Sequence, residues 1–251
     1  MSRLAAILFL GVAACAHDHA LNRGEVGAMK NDSPVTSPWY GPDADPVAGD
    51  AMMVPIVDRV REMAVQVFAT GGGEDVNVAS GVLLGGGIVL TDLRAILVVG
   101  PDGALQPAAA IAVVSAQGVF AARIVGAAAD AGVAALELPD PPDGPDDPPL
   151  ADGPGGSDDP VLAVRASRQG PALQFEAIGF SVDRTKDPLR LQPVPGLPRS
   201  FAGAPVVDAS GALAGLLVGP TKDEIILVPS GRLLQILESV RPEEPEIDNH
   251  I

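Results

Sequence analysis

Histidine is almost absent from this chain. Of its 251 residues three are histidines, His17, His19 and His250, and none lies between residues 20 and 249. A hydrolase that needs an imidazole base would have to borrow it from one end of the chain. Cysteine occurs once, as Cys15, which excludes an intramolecular disulfide. Aromatic residues make up 3% against 47% hydrophobic residues, so any core must be filled by Val, Leu, Ile and Ala. Basic residues number 16 and acidic ones 32, for a net charge of −16. That balance argues against nucleic acid and anionic lipid surfaces as partners, since both repel it. Much of the acid sits in segments poor in apolar residues, including the tail Glu243-Glu244-Pro245-Glu246-Ile247-Asp248. Such segments solvate rather than bind. His17-Asp18-His19 offers metal-ligand types but no scaffold to fix their geometry, so neither a metal site nor a cofactor is expected.

Long hydrophobic runs are also missing. The apolar stretch Leu4 to Ala14, preceded by Arg3, is too short to cross a bilayer as a helix and has the shape of a signal peptide. Val12-Ala13-Ala14-Cys15 resembles the lipobox of bacterial lipoproteins. The resemblance implies cleavage before Cys15 and lipidation of that cysteine. Ala16, rather than an Asp, follows the cysteine and favours the outer membrane. The expected location is therefore the cell envelope, lipid-anchored, on the periplasmic face of the outer membrane. Residues 15–50 are rich in Asp, Pro, Gly and Ala without periodicity and read as a flexible tether.

The body of the chain has an all-β pattern. A short amphipathic helix is expected over Asp50–Met63, with Met53, Ile56, Val57, Val60 and Met63 at helical spacing. Apolar runs bounded by Gly, Pro, Asp and Ser then mark strands at Val76–Leu84, Gly87–Thr91, Ala109–Val114, Val119–Val125 and Val133–Leu138. A second set lies at Val161–Val164, Ala172–Val182, Leu189–Val194, Ala204–Val207, Leu213–Val218 and Glu224–Val228. Pro139–Pro160, dense in Asp, Pro and Gly, separates the sets as a linker, with Leu150 tacking its middle to the surface. Ser230–Val240 closes the chain as a helix, with Ser230 as N-cap and Leu233, Leu234 and Leu237 as its apolar stripe. The organisation expected is a signal peptide at 1–14, a tether at 15–50 and a first barrel at 51–138. An inter-barrel linker at 139–160, a second barrel with terminal helix at 161–241 and an acidic tail at 242–251 complete it.

Four ordered segments carry a family resemblance. Ser200-Phe201-Ala202-Gly203-Ala204-Pro205-Val206-Val207-Asp208 resembles the nucleophile loop G-N-S-G-G-P-L-V-(D/N) of HtrA/Deg-type trypsin-like serine proteases. Ala79-Ser80-Gly81-Val82 through Thr91-Asp92-Leu93-Arg94 is similar to the family's G-S-G-(V/F)…T-N-x-H. Ala122 through Leu138 resembles the strand pair that carries the orienting aspartate, and Ile226 through Glu238 resembles the closing strand and helix. The resemblance implies two six-stranded β-barrels of the trypsin-like (chymotrypsin) fold, with a short N-terminal and a C-terminal helix. No PDZ module is expected after Glu238.

The same resemblance places the catalytic triad on Ala202, Arg94 and Gly132. Ala202 has no oxygen to attack a carbonyl, Arg94 cannot accept a proton, and Gly132 has no side chain to orient a base. Asp130 is two residues from the orienting position, a slip that changes which face a side chain uses. In the oxyanion loop, Ser200, Phe201 and Ala202 stand where the family has G-N-S, so the oxyanion hole is expected to be lost too. No catalytic residue is assigned. The expected function is a pseudoprotease that binds a polypeptide or envelope protein without cleaving it, by strand addition in the cleft. Arg94 could offer a cation there, or simply turn to solvent or pair with Asp92. Two alternatives remain: an endopeptidase with a relocated site, using Ser200 or Ser210 with Lys222 or Lys186, and a purely structural accessory subunit of an envelope complex.

Overall fold

Strands buried at every position, such as Leu213–Val218 and Ile88–Asp92, must be covered on both faces. The computed structural model, which describes residues 56–72, 76–100, 102–142, 148–151, 161–169, 172–183, 185–192, 197–220 and 224–240, shows what covers them. The signal peptide, Cys15, the tether, most of the linker, Lys222 and the acidic tail lie outside the described residues. A helical turn at 56–60 leads into β1 (Ala64–Thr70), β2 (Val76–Leu84) and β3 (Ile88–Asp92). The hairpin β4 (Leu97–Val99) and β5 (Leu105–Pro107) follows, then β6 (Ala110–Ser115), β7 (Gly118–Ala128) and β8 (Val133–Glu137). In the order β1-β2-β3-β8-β7-β6 six of these strands close into a barrel.

The second half forms one seven-stranded sheet. Its members are β9 (Val161–Gln169), β10 (Ala172–Phe180), β11 (Val182–Asp183), β12 (Arg190–Leu191), β13 (Pro205–Val207), β14 (Leu213–Val218) and β15 (Ile225–Pro229). The strand order is β10-β9-β13-β14-β15-β12-β11. The two ends of that order, β10 and β11, are separated in the chain by Ser181 alone. The sheet therefore curls back toward its own start as a half-barrel. This is the all-β, two-barrel architecture that the strand pattern predicts. The extra strand arises because Ser181 splits the apolar run 172–182 in two.

Alternation of side chains divides the core into three clusters. Val65, Val67, Leu83, Val89, Ile111 and Leu136 fill the closed barrel. Phe180, Leu191, Phe201, Val206, Leu217 and Leu227 fill the half-barrel. The opposite faces of the same strands meet in a third cluster that joins the two sheets: Val82, Leu84 and Leu90 from one, Leu162, Val164 and Leu216 from the other. Every apolar residue of such a strand has a core to face, which is why these runs do not alternate with polar residues. Gln66, buried on β1, accepts the Arg168 N–H at 2.8 Å and ties the sheets together by a polar bond as well.

Several local expectations need correction. The entry helix does not extend to Met63: residues 61–63 are turns, and the carbonyl of buried Met63 accepts the Leu83 N–H at 2.7 Å instead. In the C-terminal helix, Ser230–Val240, the buried stripe is Leu233, Ile236 and Leu237, whereas Leu234 is 41% exposed. Ser230 does not cap its own helix; its hydroxyl donates to the Ala151 carbonyl at 3.4 Å. The linker is tacked at residue 150, but by backbone. Leu213 N–H donates to Pro149 O and Ala151 N–H to Leu213 O, while the Leu150 side chain stays exposed.

Candidate functional site

The site forms where the end of β3, the loop before β13 and the end of β14 converge. Its floor is a set of buried polar groups from the closed barrel. Thr91, buried, donates its hydroxyl to the Ser80 carbonyl at 2.6 Å. Ser80 donates its own hydroxyl to Ser200 O at 2.8 Å and its N–H to Ala202 O at 2.8 Å. The loop that resembles a nucleophile loop is thus clamped by β2. Gly203 makes the clamp possible: at φ +79° it brings backbone against backbone, and its N–H reaches Leu217 O at 2.8 Å.

Position 202 is held in a conformation that withdraws its backbone donor. Arg199–Phe201 is a 3₁₀ turn, and the Ala202 N–H donates to Arg199 O at 2.9 Å. An acyl-transfer site aims this kind of N–H at a developing oxyanion. Here it is spent inside the loop. Phe201 explains why the turn stays put: its ring is fully buried among the aliphatic side chains of the half-barrel. Arg165, on β9, sits with its guanidinium 5.1 Å from the centre of that ring, pairs with Glu176 (Nε to Oε2, 2.8 Å) and hydrogen-bonds the Ser200 hydroxyl. Truncating Phe201→Ala should cost about 3–5 kcal/mol, the range for losing a buried phenyl group. A chemical-denaturation midpoint unchanged from wild type would show that the ring does not anchor the loop.

Two of the positions matched to the triad, 94 and 132, lie side by side. The Leu93 N–H donates to Gly132 O at 2.8 Å, which holds residue 132 beside residue 94. Gly132 has φ +67°, and a Cβ there would lie 2.9 Å from Val218 Cγ1, so the orienting position has no room for a carboxylate on that backbone. Asp130 is out in solvent, ion-paired with Arg232, whose hydrogen bond holds its carboxyl below the usual carboxylate range. It does not reach the site.

A carboxylate does sit beside residue 94, and it comes from Asp92. Its side chain is 1% exposed. Oδ1 accepts the Arg94 N–H at 2.7 Å, capping the 3₁₀ turn Leu93–Ile96, and lies 3.5 Å from Arg94 Nε. Oδ2 reaches across to the Gly219 N–H at 2.7 Å. Arg94, 60% exposed, both pairs with Asp92 and lies against Gly219. Sequence reasoning named Asp92 only as one possible partner for Arg94 and missed its place at the centre of the site. The available signal was an acid in the slot where the resembling pattern T-N-x-H carries a neutral Asn.

Among the described residues no base stands beside the serines of the relocated-site alternative; Lys222 lies outside them. The Ser200 hydroxyl faces the guanidinium of Arg165, a group that cannot act as a base. Ser210 is exposed and donates its hydroxyl to Asp208 Oδ1 at 2.6 Å, and the same oxygen takes Ser210 N–H (2.8 Å) and Ala212 N–H (3.0 Å). That is the geometry of a side-chain-closed turn. Among the described residues no lysine hydrogen-bonds to either serine, and no group of three or more His, Cys, Asp or Glu is placed to hold a metal.

Comparison with solved structures decides the architecture. A serine endoprotease from Yersinia pestis superposes with a TM-score of 0.57 at 19% identity, covering 74% of this chain and 65% of that one. The HtrA-type protease AlgW, solved with a tripeptide, gives 0.58 at 20% identity, covering 74% and 62%. The fold is that of trypsin-like, HtrA-type serine proteases. A serine-to-alanine mutant of Rv3671c from Mycobacterium tuberculosis H37Rv, in its inactive form, gives 0.54 at 18% identity over 76% of this chain and 93% of that one. The chain thus spans less than two thirds of the length of the first two. No family model matches the sequence, and no curated protein does.

Proposed function

We propose that this chain is a trypsin-like fold put to binding: a pseudoprotease, lipid-anchored through Cys15 at the periplasmic face of the outer membrane, that engages a polypeptide or an envelope protein without cleaving it. The observation that carries this reading is position 202. It has a methyl group where an attacking oxygen is needed, and its N–H is turned away into the Arg199 carbonyl. The cation of Arg94 and the bare backbone of Gly132 at the other two positions point the same way.

The test incubates the full chain with unfolded casein and follows both retention and fragments by mass spectrometry. Retention without fragments is the expected result. Fragments that vanish on Ser200→Ala or Ser210→Ala would overturn the reading and establish a displaced catalytic serine.

One observation favours the second reading, an accessory subunit that works through its outer surfaces. The backbone edge after β14 offers few free donors: the Gly219 N–H is bonded to Asp92, and Pro220 has none. In that case casein is neither retained nor cut, and substitutions of Arg94 and the cleft rim leave envelope binding intact.

A further inference from the structure

The edge after β14 behaves as though a strand had already been added to it. Leu217 uses both backbone groups toward the loop before β13, its N–H to Ala204 O at 2.9 Å and its C=O to Gly203 N–H at 2.8 Å. Val218 pairs on the other side, with Ile226 of β15. In a strand the backbone groups of alternate residues face the same edge. Gly219 is therefore the next residue to face the loop side, and β13 has no further residue to meet it, since Pro205 already pairs with Leu216. Its N–H is where an extended peptide laid along this edge would find its donor.

That donor is occupied by Asp92 Oδ2 at 2.7 Å, a bond made across 127 residues from the other barrel. Asp92 can make it because the rest of its carboxylate is satisfied: the Arg94 N–H caps Oδ1 and the Arg94 guanidinium offsets the buried charge. Gly219 cooperates. At φ +64° and without a Cβ it lets the Arg94 guanidinium lie against it, a place any side chain would contest. Asp92 and Arg94 together thus fill, from inside the molecule, the hydrogen-bonding and steric space of an incoming strand.

We infer that Asp92 is an internal plug of the peptide-binding edge, and that releasing Gly219 from it opens the edge to an extended polypeptide. The inference rests on the reading that a polypeptide is what the cleft takes. It adds that the resting chain is closed to that ligand. A partner must displace one charge-assisted hydrogen bond and swing out one exposed arginine before it pairs.

Asp92→Ser and Asp92→Thr test it, since both keep an N-cap oxygen for the Arg94 N–H and are too short to reach Gly219. The full chain and the two variants are compared in amide hydrogen exchange at Gly219 and in retention of labelled, unfolded casein. Faster exchange at Gly219, by about tenfold or more, together with a similar gain in casein retention, is the expected result in at least one folded variant. Unchanged exchange at Gly219 would show that Asp92 is not the plug. Faster exchange with unchanged casein retention would show that the edge does not take a strand, and the inference fails. The proposed absence of cleavage is judged separately, by whether the wild-type chain leaves fragments.

Discussion

Gly203→Ala is expected to cost about 4 kcal/mol or more, enough to unfold a domain of ordinary stability. The position carries two penalties at once. At φ +79° an L side chain is strained by about 1–3 kcal/mol before it touches anything. A Cβ there would also be driven into the Ser80 carbonyl oxygen, 2.5 Å from Thr91 Oγ1 and 2.9 Å from Asp92 N. Two of these are backbone atoms. The third is a buried hydroxyl already bonded to the same carbonyl, so none can retreat cheaply. Gly86→Ala supplies the control. It has a similar φ, +72°, with nothing within 4 Å of its Cβ, so it carries the conformational penalty alone, about 1–2 kcal/mol. Urea titration of the pair separates the two penalties. Equal midpoints would mean that the loop before β13 is not pressed against β2 and β3.

The same close approach explains what could be read from the sequence and what could not. Gly203, Pro205 and the apolar pair Val206-Val207 are dictated by backbone contact and by burial on both faces, and such constraints leave their mark in residue type. β14 and the C-terminal helix are legible for this reason, over Leu213–Val218 and Ser230–Val240. The β4–β5 hairpin is not. Its strands are three residues each and carry exposed residues, among them Val99 at 71% and Leu105 at 67%; β4 is the end of the apolar run Ala95–Val99, too short to tell from the turn before it, and β5 has neither run nor alternation. Leu234 was placed on the wrong face because three leucines suit more than one helical stripe. Ile236 settles the matter only once the neighbouring strands are known. The site divides in the same way. The identities at 94, 132 and 202 are visible in the sequence, but the hydrogen bonds of Asp92 depend on where β14 ends, 127 residues away.

Installing the catalytic residues of the resembling pattern is expected to give at most a slow protease. Arg94→His with Ala202→Ser supplies a base and a nucleophile. Asp92, already bonded to the residue-94 N–H and next to its side chain, stands ready as the orienting acid. Adding Gly132→Asp to complete the family pattern should make matters worse rather than better. It places a β-carbon on a backbone at φ +67° and 2.9 Å from Val218 Cγ1. Neither variant repairs the backbone. While the N–H of residue 202 donates to Arg199 O, a tetrahedral intermediate loses one oxyanion donor, a loss of roughly 10²–10³ in rate for an enzyme that had it. The Phe201 anchor keeps that turn closed whatever the side chain at 202. Casein incubated with the double variant should therefore be cut at a rate held down by roughly 10²–10³ by the closed turn, and the triple variant should melt lower than the double. Efficient cleavage by the triple variant would show that the 3₁₀ turn opens on its own. The backbone would then be poised for catalysis, and the proposed inactivity would rest on three side chains alone.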